Sequence, residues 1–482
     1  MLTVSLPLEE PSENLISRFS AQQGFTVLAS GGGEPLAHPY VPLARWSFIA
    51  VDPFLVFSFY PGAISIRPCP AGVDLSSDPL QTLENLLLRY KIEEAAPTPF
   101  PAGAVGFLSY ELRTLVEKVP ATGTDDLGLP HLRFCFYDAV LSIDHYEKRI
   151  WLTSTGLPFE GEARLARQQE RIDTLLGLLR RQPASGRGVG AAAAAESPLF
   201  SSLSRPRYIK AIKQVKEYIA AGDVYQVNIA QRFSIQSAVE GFPLFGRLQR
   251  SNPSPFAAYL SGEGFTVVSS SPERFLHYDA LAGIIHTRPI KGTRPRGANP
   301  HDDERLAREL LASEKDHAEH VMIVDLERND LGRIAATGSV HVPEFCVLET
   351  FPTVFHLTST VEAVLPPGTG PAAILRATFP GGSITGAPKV RAMEIIDEIE
   401  PVARGIYTGA IGYLSFNGNI DLNIVIRTLV LSGGYVHFHV GGGIVADSDP
   451  EEEYQETLDK GLAFSRVLGL NMHEVIELES IR

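Results

Sequence analysis

Cysteine is scarce: there are three in 482 residues, Cys69, Cys135 and Cys346. They lie too far apart for a disulfide framework or a metal-binding spacing, and a reducing cytoplasm suits them. Long apolar runs are missing too. None approaches the ~20 residues needed to span a bilayer, so no membrane contact is expected. The first ten residues, MLTVSLPLEE, have neither a basic stretch nor a long apolar core, and no signal peptide is expected. Positive charge is in deficit, with 42 Lys and Arg against 56 Asp and Glu, a balance of −14. No run of Lys and Arg appears, which argues against a nucleic-acid partner. An anionic ligand would need a local site that overcomes this global field.

What is present is ordinary globular material, 44% hydrophobic and 20% charged. The length allows two to four domains or one large α/β unit. Gln182 to Ser197 reads QPASGRGVGAAAAAES and has no periodic apolar face, so it is expected to be a connection rather than core. The chain therefore divides into an N-terminal region, 1–181, a linker, 182–200, a catalytic region, 201–470, and a tail, 471–482. Leu165, Ile172, Leu175 and Leu179 predict a helix over Glu160–Arg181. Tyr208, Ile212, Val215 and Ile219 predict another, closed by Gly222. A single long helix is expected from about Asp302 to Asn329, one from Pro388 to Glu400, and one from about Pro450. Gly103–Tyr110 echoes Gly409–Phe416, which would suit matching strands in two facing sheets, or be coincidence.

Four clusters could carry chemistry. Ser271-Pro-Glu-Arg-Phe275 precedes Thr287-Arg-Pro-Ile-Lys-Gly-Thr293, which puts Lys291 at a strand end. If Arg288, Arg294 or Arg296 stays near it, their charge would favour an uncharged, nucleophilic amine. Glu273 could exchange protons with a substrate hydroxyl. A basic surface turn is the plainer reading. Next, Glu319 begins an apolar helical run (Val321–Val324) expected to be buried, and with Glu453 and Glu456, one turn apart, it offers hard oxygen ligands. Such i, i+3 carboxylates are also common on solvated helices. Third, Gly381-Gly-Ser-Ile-Thr-Gly-Ala-Pro-Lys389 leads into a helix and is either an anion site or a structural turn; it lacks the phosphate-loop spacing. Fourth, Gly441, Gly442 and Gly443 follow a strand and could bring successive amides to a carboxylate, or form a turn. Arg427, placed in a strand Asn423–Leu431, could fork onto another carboxylate or form a surface ion pair.

Taken in order, Ser271-Pro-Glu-Arg-Phe, Pro289-Ile-Lys-Gly-Thr, Asp325-Leu-Glu-Arg-Asn-Asp, Gly381-Gly-Ser-Ile-Thr-Gly-Ala-Pro-Lys and Gly441-Gly-Gly-Ile-Val-Ala-Asp-Ser resemble the chorismate-utilising enzymes. The likeness runs across about 205–465 and is weaker in the first 180 residues. It implies an α/β fold of two facing, mainly antiparallel sheets with helices outside, chorismate as substrate, and Mg²⁺ on Glu319, Glu453 and Glu456. It implies Lys291, Glu273 and His356 as catalytic groups. Thr293 and Gly441–Gly443 would meet the carboxylate end of the substrate, Tyr407 and Arg427 its enolpyruvyl carboxylate. Lys460 would balance the acidic cluster.

Within the family, water-using members carry a lysine where this chain has Gln226, and an amide is no base. Anthranilate-forming members usually read Pro-Ile-Ala-Gly-Thr. The lysine at 291 resembles the members that place ammonia at C4, on the way to p-aminobenzoate and folate, by way of a covalent lysine intermediate. The Leu-Leu-Glu-Ser motif of tryptophan-sensitive relatives is replaced by Val27-Leu-Ala-Ser30. None of the three cysteines has the flanking glycines of a glutaminase nucleophile. The chain is therefore expected either to pair with a separate glutamine amidotransferase that supplies ammonia or to use free ammonia.

Overall fold

The computed structural model describes residues 1–30, 43–75, 78–182, 197–351, 354–470, 472 and 475–477. Most of the linker expected at 182–200 and most of the tail at 471–482 lie outside these residues. Among the described residues the strands form two mainly antiparallel sheets, one of 13 strands and one of 11. The sheets face one another across a core that draws Phe48, Val267 and Leu260 from one and Val105, Phe107 and Ile411 from the other. Helices cover the outer faces. Leu83, Leu86, Ile374 and Leu375 pack against the smaller sheet, and Ile172, Leu175, Leu244 and Phe464 against the larger. With both faces covered, strands such as Gly103–Leu108 read as unbroken apolar runs instead of alternating. The expected architecture is the one observed.

The sequence break near 190 does not separate two bodies. Thr26–Ala29 pairs with Phe256–Ser261 in the larger sheet, and Gly103–Leu108 pairs with Ala410–Ser415 in the smaller. That second pairing corrects the reading of the echo. The two similar segments are neighbours within one sheet and do not belong to facing sheets. Gly106 lies directly opposite Gly412. A Cβ on Gly106 would meet the Arg133 carbonyl at 1.8 Å, and one on Gly412 the Asp421 carbonyl at 1.9 Å, so both positions need glycine for close approach.

The elements that frame the site are strands β1 (Gln226–Gln236), β2 (Ile290–Pro295), β3 (His341–Thr350), β4 (Val354–Val364) and β5 (Tyr435–Ile444). Three helices join them: α1 (Glu314–Gly332), α2 (Lys389–Ile399) and α3 (Pro450–Leu468). The long helix expected from Asp302 is in fact two. Pro300–Leu311 ends, and α1 restarts with the Ser313 side chain accepting from the Asp316 amide. Helix α1 is also less buried than expected, since Val321 is exposed while Ile323 and Val324 are buried. Helix α3 starts on Asp449, which caps the Glu451 and Glu452 amides, and carries Glu451, Glu452 and Glu453 in its first turn, where the helix dipole favours anions. Gly222 closes its helix in the left-handed conformation, as expected. Among the described residues no helix is long and apolar enough to cross a membrane.

Candidate active site

The site forms where β1 and β5 run side by side and β2 approaches them. Gly441, Gly442 and Gly443 are not in a turn: they lie within β5, opposite Ala230, Ile229 and Asn228 of β1. The neighbouring strand Thr428–Ser432 pairs with β5 only as far as Phe438, so among the described residues β5 has one open strand edge at the glycines. Their missing side chains leave room for other groups. A Cβ on Gly442 would stand 3.0 Å from Glu453 Oε2 and 3.5 Å from Glu456 Oε1. One on Gly443 would stand 2.6 Å from Gln226 Nε2 and 3.1 Å from Lys291 Nζ. Gln226 is fully buried, with neither amide atom hydrogen-bonded.

Lys291 Nζ donates to Glu319 Oε2 at 2.8 Å, and both side chains are partly shielded from solvent. Arg288 is buried against Glu344 and Glu349, Arg294 pairs with Asp316, and Arg296 pairs with Asp303. Each of these arginines has its own carboxylate partner, and the partner of the amine is Glu319. Next along β2, Glu273 Oε1 accepts from the Ile290 amide at 3.5 Å. Burial raises Glu273 to about 7, against the opposing pull of Ser383, Lys291 and Arg427.

His356 on β4 and Thr293 on β2 share a 2.8 Å hydrogen bond through Nδ1 and Oγ1. His356 Nε2 is buried with no partner, and burial with the nearby Arg427 lowers the ring to about 3, so it is neutral. Thr293 itself is exposed. Arg427 does not lie in a strand. The chain breaks between Ile420–Ile424 and Thr428–Ser432, and Arg427 occupies the kink at φ +50°. It is half-buried and, among the described residues, makes no ion pair; burial lowers it while Glu273 opposes. A free guanidinium in such a place suits a carboxylate. The Tyr407 ring stacks on His439 at 5.0 Å between centroids, and burial raises its hydroxyl to about 12.

Lys460 pairs with Glu456 at 2.6 Å and donates to the Gly441 carbonyl at 2.8 Å. Glu453 accepts from Ser448 at 2.6 Å. Burial and the Glu456 charge raise Glu453. Glu456 itself is lowered, the pull of Lys460, Lys291 and Lys315 outweighing a larger burial penalty. Among the described residues no three such side chains converge closely enough, as they stand, to hold a metal ion. The donors still fit Mg²⁺ in kind, because all three are carboxylates and lysines neutralise two of them.

The third cluster is a structural junction, not an open anion loop. The Gly382 amide donates to Glu327 at 3.2 Å, and Lys389, opening α2, pairs with Asp330 at 2.5 Å. Glu327 and Asp330, which the sequence marks only as part of the Asp325–Asp330 motif with no role of their own, are buried, and burial raises both. A signal was available: Glu327 falls at helical spacing on the same α1 stripe as His320, Val324 and Leu331. Arg404 was missed too. It is paired with Glu400 and donates to the carbonyls of Asn228 and Ile384, tying β1 to this junction. A cavity of about 270 Å³ lies elsewhere, between the sheets, where Leu28, Ala29 and Ser30 meet Phe256, Arg274 and His286.

The chain matches the model of the chorismate binding enzyme family over residues 42–466. It is 40% identical over 454 residues to aminodeoxychorismate synthase component 1 of Escherichia coli (strain K12), covering 94% of this chain and 95% of that protein. It is 41% identical over 427 residues to anthranilate synthase component 1 of Thermus thermophilus, covering 88% and 89%. The solved anthranilate synthase component I from Streptococcus pneumoniae TIGR4 superposes with a TM-score of 0.79 at 32% identity, over 90% of this chain and 95% of that one. A match this long, carried by relatives at this identity, leaves no other home for the sequence: it is a chorismate-utilising enzyme and belongs to the chorismate binding enzyme family.

Proposed function

We propose that this enzyme replaces the C4 hydroxyl of chorismate with ammonia, giving 4-amino-4-deoxychorismate for p-aminobenzoate and folate synthesis. The observation that carries the reading is Lys291: its amine is held by Glu319 beside Gly443 and Gln226, in a family whose anthranilate-forming members usually have alanine there. Glu319 is the base in contact with the amine. The uncharged amine attacks C2, the diene shifts, and the C4 hydroxyl leaves as water with a proton from Glu273. Ammonia then attacks C4 and gives a proton to Glu273, the diene shifts back, and Lys291 is released. An acid raised to about 7 is suited to both transfers near neutral pH. The orphaned Nε2 of His356 can meet the leaving hydroxyl. Arg427 and Tyr407 take the enolpyruvyl carboxylate, while Thr293 and the open edge at Gly441–Gly443 take the ring carboxylate. Mg²⁺ would be held by Glu319, Glu453 and Glu456, supplying charge that screens the anionic substrate from an acidic protein; Lys460 balances that cluster.

Ammonia is supplied by a glutamine amidotransferase partner. The relatives are called component 1, and no cysteine here has a glutaminase setting. Three free cysteines suit a reducing cytoplasm. The second reading is anthranilate formation, favoured by the 41% identity to the Thermus protein. Incubation with chorismate, ammonium and Mg²⁺ separates the two. A product that an added aminodeoxychorismate lyase converts to p-aminobenzoate supports the proposal; fluorescent anthranilate formed without lyase overturns it.

A further inference from the structure

Strand β2 presents Lys291 on a two-for-one bulge. Ile290 pairs with Thr358 and Thr293 with His356, so Lys291 and Gly292 together face only Leu357 of β4. Gly292 takes φ +91°, which glycine tolerates. An extra residue of this kind re-aims the side chains around it. A second bulge lies across β4. Glu344 pairs with Thr360 and Val347 with Thr358, so Phe345 and Cys346 together face Ser359, with Cys346 at φ +51°.

One fully buried side chain links the two bulges. His320 Nδ1–H donates to the Lys291 carbonyl at 3.3 Å, and its Nε2 accepts from the Ser359 hydroxyl at 2.6 Å. Ser359 Oγ in turn accepts from the Cys346 amide at 2.9 Å. Because the Lys291 carbonyl can only accept, the neutral ring carries its proton on Nδ1, and the Ser359 hydroxyl donates to the bare Nε2. His320 also follows Glu319 directly on α1. The same helical turn thus fixes both the backbone of Lys291 and the carboxylate that meets its amine.

We propose that His320 is a positioning residue for the Lys291 amine, acting through the bulge that joins the Lys291 carbonyl to Ser359. This rests on Lys291 being the group that bonds to substrate. A misplacement of about 1 Å is enough to cost about 100-fold in rate. A histidine retained only for packing would instead be replaceable by an apolar residue of like size.

The test uses His320→Leu, which keeps bulk without hydrogen bonds, His320→Gln, which can donate to the Lys291 carbonyl and accept from Ser359, and Ser359→Ala. Steady-state rates are measured with chorismate, ammonium and Mg²⁺. On the substrate-free protein, the rate of Lys291 acylation by acetic anhydride at one fixed pH is followed by peptide mass spectrometry, with exposed Lys213 as reference. We expect His320→Leu to lower kcat by about 10- to 100-fold with KM for chorismate within about threefold, and to change the Lys291 labelling rate but not that of Lys213. His320→Gln should recover most of both, and Ser359→Ala should fall between; it carries the test if His320→Leu does not fold. Unchanged Lys291 labelling, kcat within twofold of the parent, or Gln no better than Leu would overturn the proposal. The labelling arm needs no turnover, so a failure of the lysine chemistry, seen as full C4 amination by Lys291→Ala, is read separately.

Discussion

Adding one methyl group at Gly443 tests the geometry of the site directly. Gly443 has no left-handed φ, so Gly443→Ala carries no backbone penalty. Its Cβ would stand 2.6 Å from Gln226 Nε2 and 3.1 Å from Lys291 Nζ. The amide is fully buried and has little room to retreat, so the amine must yield as well. Overpacking of this kind costs about 1–3 kcal/mol. If that strain is borne in the transition state it lowers kcat by about 5- to 150-fold. Gly442→Ala is the comparison. Its Cβ meets the tips of Glu453, Glu456 and Lys460, at 3.0, 3.5 and 3.8 Å, which can swing aside, and its loss should be smaller. Initial rates of C4 amination at saturating chorismate, alongside thermal midpoints, measure both. A Gly443→Ala enzyme with kcat within twofold of the parent and an unchanged midpoint would refute the placement of Lys291 against β5.

Lys291→Ala should abolish C4 amination or redirect it to another carbon, read by mass spectrometry with and without lyase; full C4 activity would remove the covalent route. Glu456→Gln should weaken Mg²⁺ in a titration of activity, and an unchanged curve would unseat Glu456 as a ligand. Glu111, buried and raised to about 7, gives a pH test of stability. Between its ordinary value of 4.5 and about 7 the folded protein holds a proton that the unfolded chain has lost, so this group's contribution falls as pH rises through that window and then levels. Relative to the parent, Glu111→Gln should gain stability between pH 5 and 8, by up to about 3 kcal/mol. A parent-to-mutant difference that stays flat across that range would contradict it.

The local signals in the sequence were the dependable ones. Gly222 closes its helix because a C-terminal glycine acts within one turn, and the Pro-Ile and glycine flanks of Lys291 mark extended backbone, although the residue lies on a bulge inside β2 and not at a strand end. The restart at Ser313 was also written locally, in a serine three residues before Asp316, but continuous apolar spacing on both sides hid it. What could not be read depends on partners distant in sequence. Arg288, expected to act on Lys291, is occupied by Glu344 and Glu349, and Lys389, expected beside an anion, is occupied by Asp330. The glycines 441–443 look the same in a turn and in a strand, and only their pairing with β1 decides between them. Strand-formers flank Arg427 on both sides, yet the left-handed kink there separates two strands.

The pairing of Thr26–Ala29 with Phe256–Ser261, and of Gly103–Leu108 with Ala410–Ser415, bears on how this protein can be handled. Severing the peptide near residue 190 would yield two fragments, neither with a finished sheet. Expressed singly, each would present unsatisfied strand edges, an invitation to self-association. Produced together, the halves should instead find one another and restore a working whole, which makes this a natural candidate for split-reporter complementation.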